Sequence, residues 1–219
     1  MKTHNIKFFK LLITIMGFLL IIVVFSFYKR PSLDFRIKNL ELEPQTIYLV
    51  QRGTTGKLGN FAKDFNIKNK YASHLGIGFI SDGKLSIYHV YVKKNSHKNN
   101  LYTETIEDFT KPEDLNYFSI WKLNNIDPEK FKQIKSTIIS SGQENIEFDF
   151  DFDENNEKLY CSEYVVRELR KNNIEIMQDH TKKAAGIASQ MLRKDTLIYF
   201  PVDGFENSDK TEKIFEWIK

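Results

Sequence analysis

"SHLGIGFISDGKLSIYHVYV", residues 73–92, places two alternating, β-rich runs on either side of Asp82-Gly83. A two-residue Asp-Gly connection between such runs reads as a tight β-hairpin. That turn sets the register: Ser81 faces Lys84, Gly78 faces Ile87, Gly76 faces His89, and His74 faces Tyr91. Paired residues share a face, and alternate residues return to it. His74, Gly76, Gly78, His89 and Tyr91 therefore lie on one face, with Leu75, Ile77 and Phe79 on the other. His74 and His89 become diagonal neighbours, roughly 7–8 Å apart at the backbone and within side-chain reach. Glycine inside a strand often marks the close approach of another backbone. We expect Gly76 and Gly78 to clear the histidine face for a packed element.

Working outward, "KLYCSEYVVREL" (158–169) holds the only cysteine, Cys161, where a β-like run gives way to a helical pattern. A lone Cys makes no intramolecular disulfide and no CxxC metal site. It is either a small buried hydrophobe or a nucleophile. At a helix start, unpaired N–H groups and the helix dipole favour a thiolate. The start of the Cys161 helix is the natural occupant of the cleared face. Of the five histidines, His4, His97 and His180 sit in polar, loop-like surroundings and read as surface residues. Only His74 and His89 lie in strands on a shared face, so these are the candidate partners of the thiol.

"TIYLVQ" (46–51) reads as a strand followed by a polar loop, "RGTTGKLGN", and "YFSIWKL" (117–123) as another strand. Asp127, Pro128 and Glu129 are helix-start signals, and Gly142 ends that helix. "NIEFDFDF" (145–152) alternates like a strand with a solvated acidic edge. Asp149, Asp151 and Asp153 open like an EF-hand loop, but Glu154 stands where glycine is needed and Tyr160 where glutamate is needed. We expect no metal and no cofactor. A helix over "TKKAAGIASQMLRK" (181–194), a strand "TLIYFPV" (196–202) and an amphipathic helix near 209–218 complete an α+β pattern with a mostly antiparallel sheet.

The chain of 219 residues carries 32 Lys and Arg against 29 Asp and Glu. Lys2, Lys7, Lys10, Lys29 and Arg30 fall in the first thirty residues, which contain no acid, so the rest is near neutral. The basic excess belongs to these flanks and not to a nucleic-acid surface. "FFKLLITIMGFLLIIVVFSFY" (8–28) is uncharged from Leu11 to Tyr28. About 20 apolar residues cross a bilayer core. No A-x-A-like site follows, so we read an uncleaved single-span anchor over a cleaved signal peptide. Lysines and arginines flank both ends, and the positive-inside rule gives no vote. The short tail favours an exported bulk, periplasmic or extracellular. We divide the chain into a tail and anchor (1–30), a tether (31–45) and one domain (46–219).

"YASHLGIGFI", "IYHVYV" and "EKLYCSEYVVREL" together resemble the permuted papain-like amidases of the YaeF/YiiX type, relatives of NlpC-type peptidases and of lecithin:retinol acyltransferase-like enzymes. The resemblance spans roughly residues 45–202 and is carried most specifically by "SHLGIG" and "LYCSE", with His before Cys. It implies a circularly permuted papain-like α+β fold. It also implies Cys161 as nucleophile, His74 as base and His89 as the third member, and it leaves open whether Gln51 or the backbone near Arg52 holds an oxyanion. The expected activity is a membrane-anchored cysteine hydrolase cleaving an amide through a thiolate. Its substrate is a peptide-like or acyl compound, cell-wall peptide and lipid among them. A lipid acyltransferase or thioesterase of the same fold and a non-catalytic envelope module are the alternatives.

Overall fold

The computed structural model describes residues 32–93, 99–153, 156–183 and 194–219. The proposed anchor, 8–28, lies outside these residues. Among the described residues no helix is long and apolar enough to cross a membrane. The chain divides into two units, Met1–Glu41 and Leu42–Lys219. In the first, part of the expected tether is a short helix, α1 (Leu33–Lys38), whose Ser32 side chain accepts the Phe35 N–H.

The second unit is built on the hairpin. Asp82 (φ 50°) and Gly83 (φ 75°) both take positive φ, as a I′ turn requires. They join β2 (His74–Ser81) to β3 (Lys84–Val90) with Ser81 opposite Lys84 and Gly78 opposite Ile87, the register read from the turn. β1 (Tyr48–Thr54) pairs with β2, setting Arg52 opposite His74 and Gln51 opposite Leu75. β5 (Leu115–Leu123) flanks β1 on its other side, and β4 (Leu101–Thr105) flanks β3. With β8 (Thr211–Ile218) outside β5, the antiparallel sheet runs β4-β3-β2-β1-β5-β8. A two-stranded sheet pairs β6 (His180–Lys183) with β7 (Thr196–Tyr199).

Four helical segments complete this unit. α2 (Lys57–Lys63) follows β1, and the single-turn α3 (Ile106–Phe109) follows β4. α4 (Pro128–Ser141) starts where expected, with the Asp127 carboxylate accepting the Lys130 N–H at 2.8 Å. α5 (Cys161–Arg170) carries the cysteine at its first position. Leu75, Ile77 and Phe79 pack with Leu49 and Trp121 beneath Phe131, Ile134 and Ile138 of α4 and Cys161, Tyr164 and Val165 of α5.

Several sequence expectations are corrected. The 209–218 segment is strand β8, not a helix. Ile214, Phe215, Trp217 and Ile218 have helix-like spacing only because a register shift at Ile120/Trp121 inserts one extra residue. Pairing with the edge of β5 then prevails over local pattern. Residues 145–152 form no strand beyond an isolated bridge between Phe148 and Leu159. Asp149 is buried rather than solvated, and its carboxylate accepts the N–H groups of Asp151 and Asp153 at 2.8 and 2.7 Å. The expected 181–194 helix begins as β6, and its remainder, 184–193, lies outside the described residues. The loop expected after residue 51 is the end of β1 and then α2.

The glycine argument also changes. The Cys161 helix packs on the Leu75, Ile77 and Phe79 face, not on the Gly76 and Gly78 face. A Cβ on Gly78 would stand 2.4 Å from the Ser86 carbonyl oxygen, and one on Gly76 would stand 2.7 Å from the Ile87 Cγ2 methyl. The glycines therefore admit β3 itself at close range. Backbone yields less readily than a methyl, so Gly78→Ala is expected to destabilise more than Gly76→Ala, by about 1–3 kcal/mol. Urea unfolding of the full-length chain measures the order, and an equal or larger loss for Gly76→Ala contradicts it.

Candidate active site

Cys161 is held by its neighbours. The Tyr160 N–H reaches the Glu163 carboxylate at 3.4 Å. The Phe200 N–H donates to the Tyr160 hydroxyl at 2.8 Å, and the Ser162 hydroxyl donates to the Phe200 carbonyl at 2.6 Å. The segment after β7 thus fastens both flanks of the cysteine. Burial pushes the Cys161 thiol above its ordinary value; the amides of Leu75 and Ser162, the Ser162 hydroxyl and the Arg52 charge pull the other way without overcoming it. The resting group is a thiol, which corrects the expectation of a thiolate with a lowered pKa. Desolvation outweighs the helix start.

The two histidines come together as the hairpin requires. His74 Nε2 and His89 Nδ1 are 2.8 Å apart, with ring planes at 83°. His89 is fully buried and His74 nearly so. Phe109 of α3 covers both rings, at centroid distances of 5.7 and 5.1 Å, and Tyr91 lies 5.2 Å from His74. Burial, the Arg52 charge and the His89 ring hold His74 well below the ordinary imidazole value. Burial also lowers His89, although its contact with Glu104 opposes the shift. Both rings are neutral at neutral pH.

No hydrogen bond joins Cys161 to either imidazole. The cysteine enters on the opposite sheet face, and its sulfur meets the amide of Leu75, the residue next to His74. Because His74 is the first residue of β2, it stands where the sheet face ends.

Two charged residues lacked a clear sequence signal. Glu104 on β4 places Oε2 at 3.0 Å from His89 Nε2 and Oε1 at 2.7 Å from Lys93 Nζ. Burial alone would raise its carboxyl, but His89 and Lys93 hold it down at about 2. The "LYTET" run, with one aliphatic residue, hid β4; its β-rich composition beside the hairpin was the available clue. Arg52, directly across from His74, is almost wholly buried. It donates to the Phe109 carbonyl at 2.9 Å, lies 3.7 Å from Glu104, and sits over the Tyr91 and Phe109 rings at 4.8 and 4.5 Å. Arg52, Tyr91 and Glu104 also line a cleft of about 590 Å³.

Gln51, by contrast, belongs to the core. Its amide donates to the Val202 carbonyl and Glu206, and its carbonyl accepts from Ser119 and Trp121. With its donors and acceptor so committed, it is no oxyanion donor.

Among solved structures, the chain is similar to the crystal structure of metalloprotein YiiX from Escherichia coli O157:H7. The TM-score is 0.61 at 11% sequence identity, covering 81% of this chain and 100% of that one. The fold is that of YiiX. No family model and no curated protein matches the sequence. The YiiX-type resemblance carried by "SHLGIG" and "LYCSE" thus holds as a fold, with the histidine strand preceding the cysteine helix. The metal in the YiiX description finds no counterpart in these residues. Among the described residues no three His, Cys, Asp or Glu side chains are grouped to hold an ion. His74 Nε2 and His89 Nδ1 point at one another at 2.8 Å. A tetrahedral ion held by two imidazole nitrogens needs about 2.0–2.1 Å to each, which sets them about 3.3 Å apart with their lone pairs turned to the ion and not to one another.

The buried rings make stability depend on pH. The folded chain keeps both imidazoles neutral below 6.5, whereas the unfolded chain takes up protons there. Stability from this source is complete above pH 6.5 and falls as pH drops below it, by up to about 1.4 kcal/mol per pH unit for each ring. Urea unfolding of the full-length chain between pH 7.5 and 5 is expected to show this decline, with a shallower slope in His74→Gln. Stability that rises on acidification over that range contradicts the assignment.

Proposed function

We propose that the 46–219 domain is a cysteine hydrolase that cleaves amide bonds, held at a membrane by residues 8–28 with its bulk exported. The observation that carries the reading is a buried imidazole pair backed by a carboxylate, ending at His74 beside the peptide that faces the Cys161 sulfur. A thiol that served only as a small buried hydrophobe would need none of this, and two packing histidines would not need a buried carboxylate behind them.

Cys161 attacks the acyl carbon while His74 takes the thiol proton. A raised thiol pKa and a neutral imidazole suit proton removal during attack rather than a resting ion pair. N–H groups at the start of α5 stabilise the oxyanion. His74 then returns the proton to the departing amine, leaving a thioester on Cys161. Water, deprotonated by His74, attacks the thioester; the acid leaves and the thiol is restored. His89 holds the base in place.

The test is turnover by the full-length chain on a panel of amide, ester and thioester probes. Cys161→Ala is expected to abolish it, and His74→Ala to lower it by about 10²–10⁴-fold. His89→Asn should lose less than His89→Ala, because the amide still offers His74 a hydrogen bond. Adding His89→Ala to His74→Ala should cost little more, since the orienter then has nothing to orient. Turnover that survives Cys161→Ala overturns the reading, and preferential turnover of esters over amides reassigns the substrate.

A further inference from the structure

We infer that Glu104 is a positioning residue: its carboxylate fixes the tautomers of His89 and His74 in turn, so that Nδ1 of His74 is the nitrogen that takes the proton. The consequence for catalysis rests on the hydrolase reading above; the tautomer assignment rests on the geometry alone.

The assignment follows from donor and acceptor roles. An ionised carboxylate only accepts. Glu104 Oε1 accepts a hydrogen bond from Lys93 Nζ at 2.7 Å, and Oε2 lies 3.0 Å from His89 Nε2. Both His89 Nε2 and Glu104 Oε2 are buried and make no hydrogen bond of ordinary geometry, so the polar contact each has to answer its burial is the 3.0 Å approach to the other. Facing an acceptor, His89 Nε2 must carry the ring's proton. A neutral imidazole has one N–H, so His89 Nδ1 accepts. Its partner, 2.8 Å away, is His74 Nε2, which must therefore donate. His74 is left with an unprotonated Nδ1. One carboxylate sets two rings.

Among the described residues, the other charged groups that pair with Glu104 are Arg52, 3.7 Å from Oε2, and Lys93, and both are donors. If the carboxylate were removed, those donors would favour an accepting His89 Nε2. The chain would then reverse: His89 Nδ1–H would donate to His74 Nε2, and the proton would sit on His74 Nδ1. The base nitrogen would be blocked with the rings still in place, the logic by which a triad's buried carboxylate maintains its histidine.

Two-bond proton–nitrogen spectra of the full-length chain with ¹⁵N-histidine test this on the unaltered protein. At pH 7 both buried rings are expected to carry the proton on Nε2 and none on Nδ1. A proton on Nδ1 of either ring overturns the inference. In Glu104→Leu, a second tautomer with His89 Nδ1 protonated should appear, and kcat should fall about tenfold or more with KM unchanged. Unchanged tautomers in a folded Glu104→Leu chain also overturn it; should that variant fail to fold, the spectra of the unaltered chain decide. The predicted tautomers in a chain without turnover leave this inference standing and remove the hydrolase reading. The reverse tautomers in an active chain do the opposite.

Discussion

The contact between His74 and His89 is the constraint on which the site depends. Two imidazoles meet at 2.8 Å inside a protein only if the strands carrying them are fixed in register and their remaining nitrogens are compatible with burial. The Asp82-Gly83 turn supplies the register, since a slip of one residue would send one ring to the other face. Gly76 and Gly78 let β3 close on β2 where any side chain would meet backbone or a methyl. Phe109, carried by the single turn of α3, covers the rings. Removing any of these elements would leave buried nitrogens without the partner that compensates their desolvation.

The two faces of the sheet have separate tasks. One packs α4 and α5 over Leu75, Ile77 and Phe79 and so fixes the cysteine; the other buries the imidazoles with Arg52 and Glu104. Cys161 and the histidine pair are therefore positioned by different layers. Burial on both sides keeps the sulfur protonated and the rings neutral. In the proposed mechanism the thiol and imidazole therefore hold no resting ion pair, and the Glu104 carboxylate keeps the acceptor nitrogen of His74 free of its proton.

The hairpin, α4 and the helix start at Cys161 were legible because local chemistry fixes them: a turn dipeptide, a capping Asp followed by Pro, and a period change. The meeting of His74 and His89 followed from register alone. Segments decided by distant partners were not legible. β8 reads as a helix until the register shift against β5 is known, and the 145–152 run reads as a strand until Asp149 is seen capping its own turn. Glu104 was hidden for a related reason. Its strand is held by pairing with β3 rather than by apolar periodicity, so its carboxylate could not be placed until the sheet order was known. The face chosen by α5 was likewise misjudged, because strand glycines announce a close neighbour without saying which one.

Intact-mass and peptide-mapping mass spectrometry of the full-length chain, quenched during turnover of a reactive acyl probe, bears most directly on Cys161 as the nucleophile. The account predicts one acyl group per chain, on the peptide containing Cys161, removed by hydroxylamine as a thioester is and missing in Cys161→Ala. Turnover with no adduct on that peptide, or an adduct that persists elsewhere in Cys161→Ala, would contradict it.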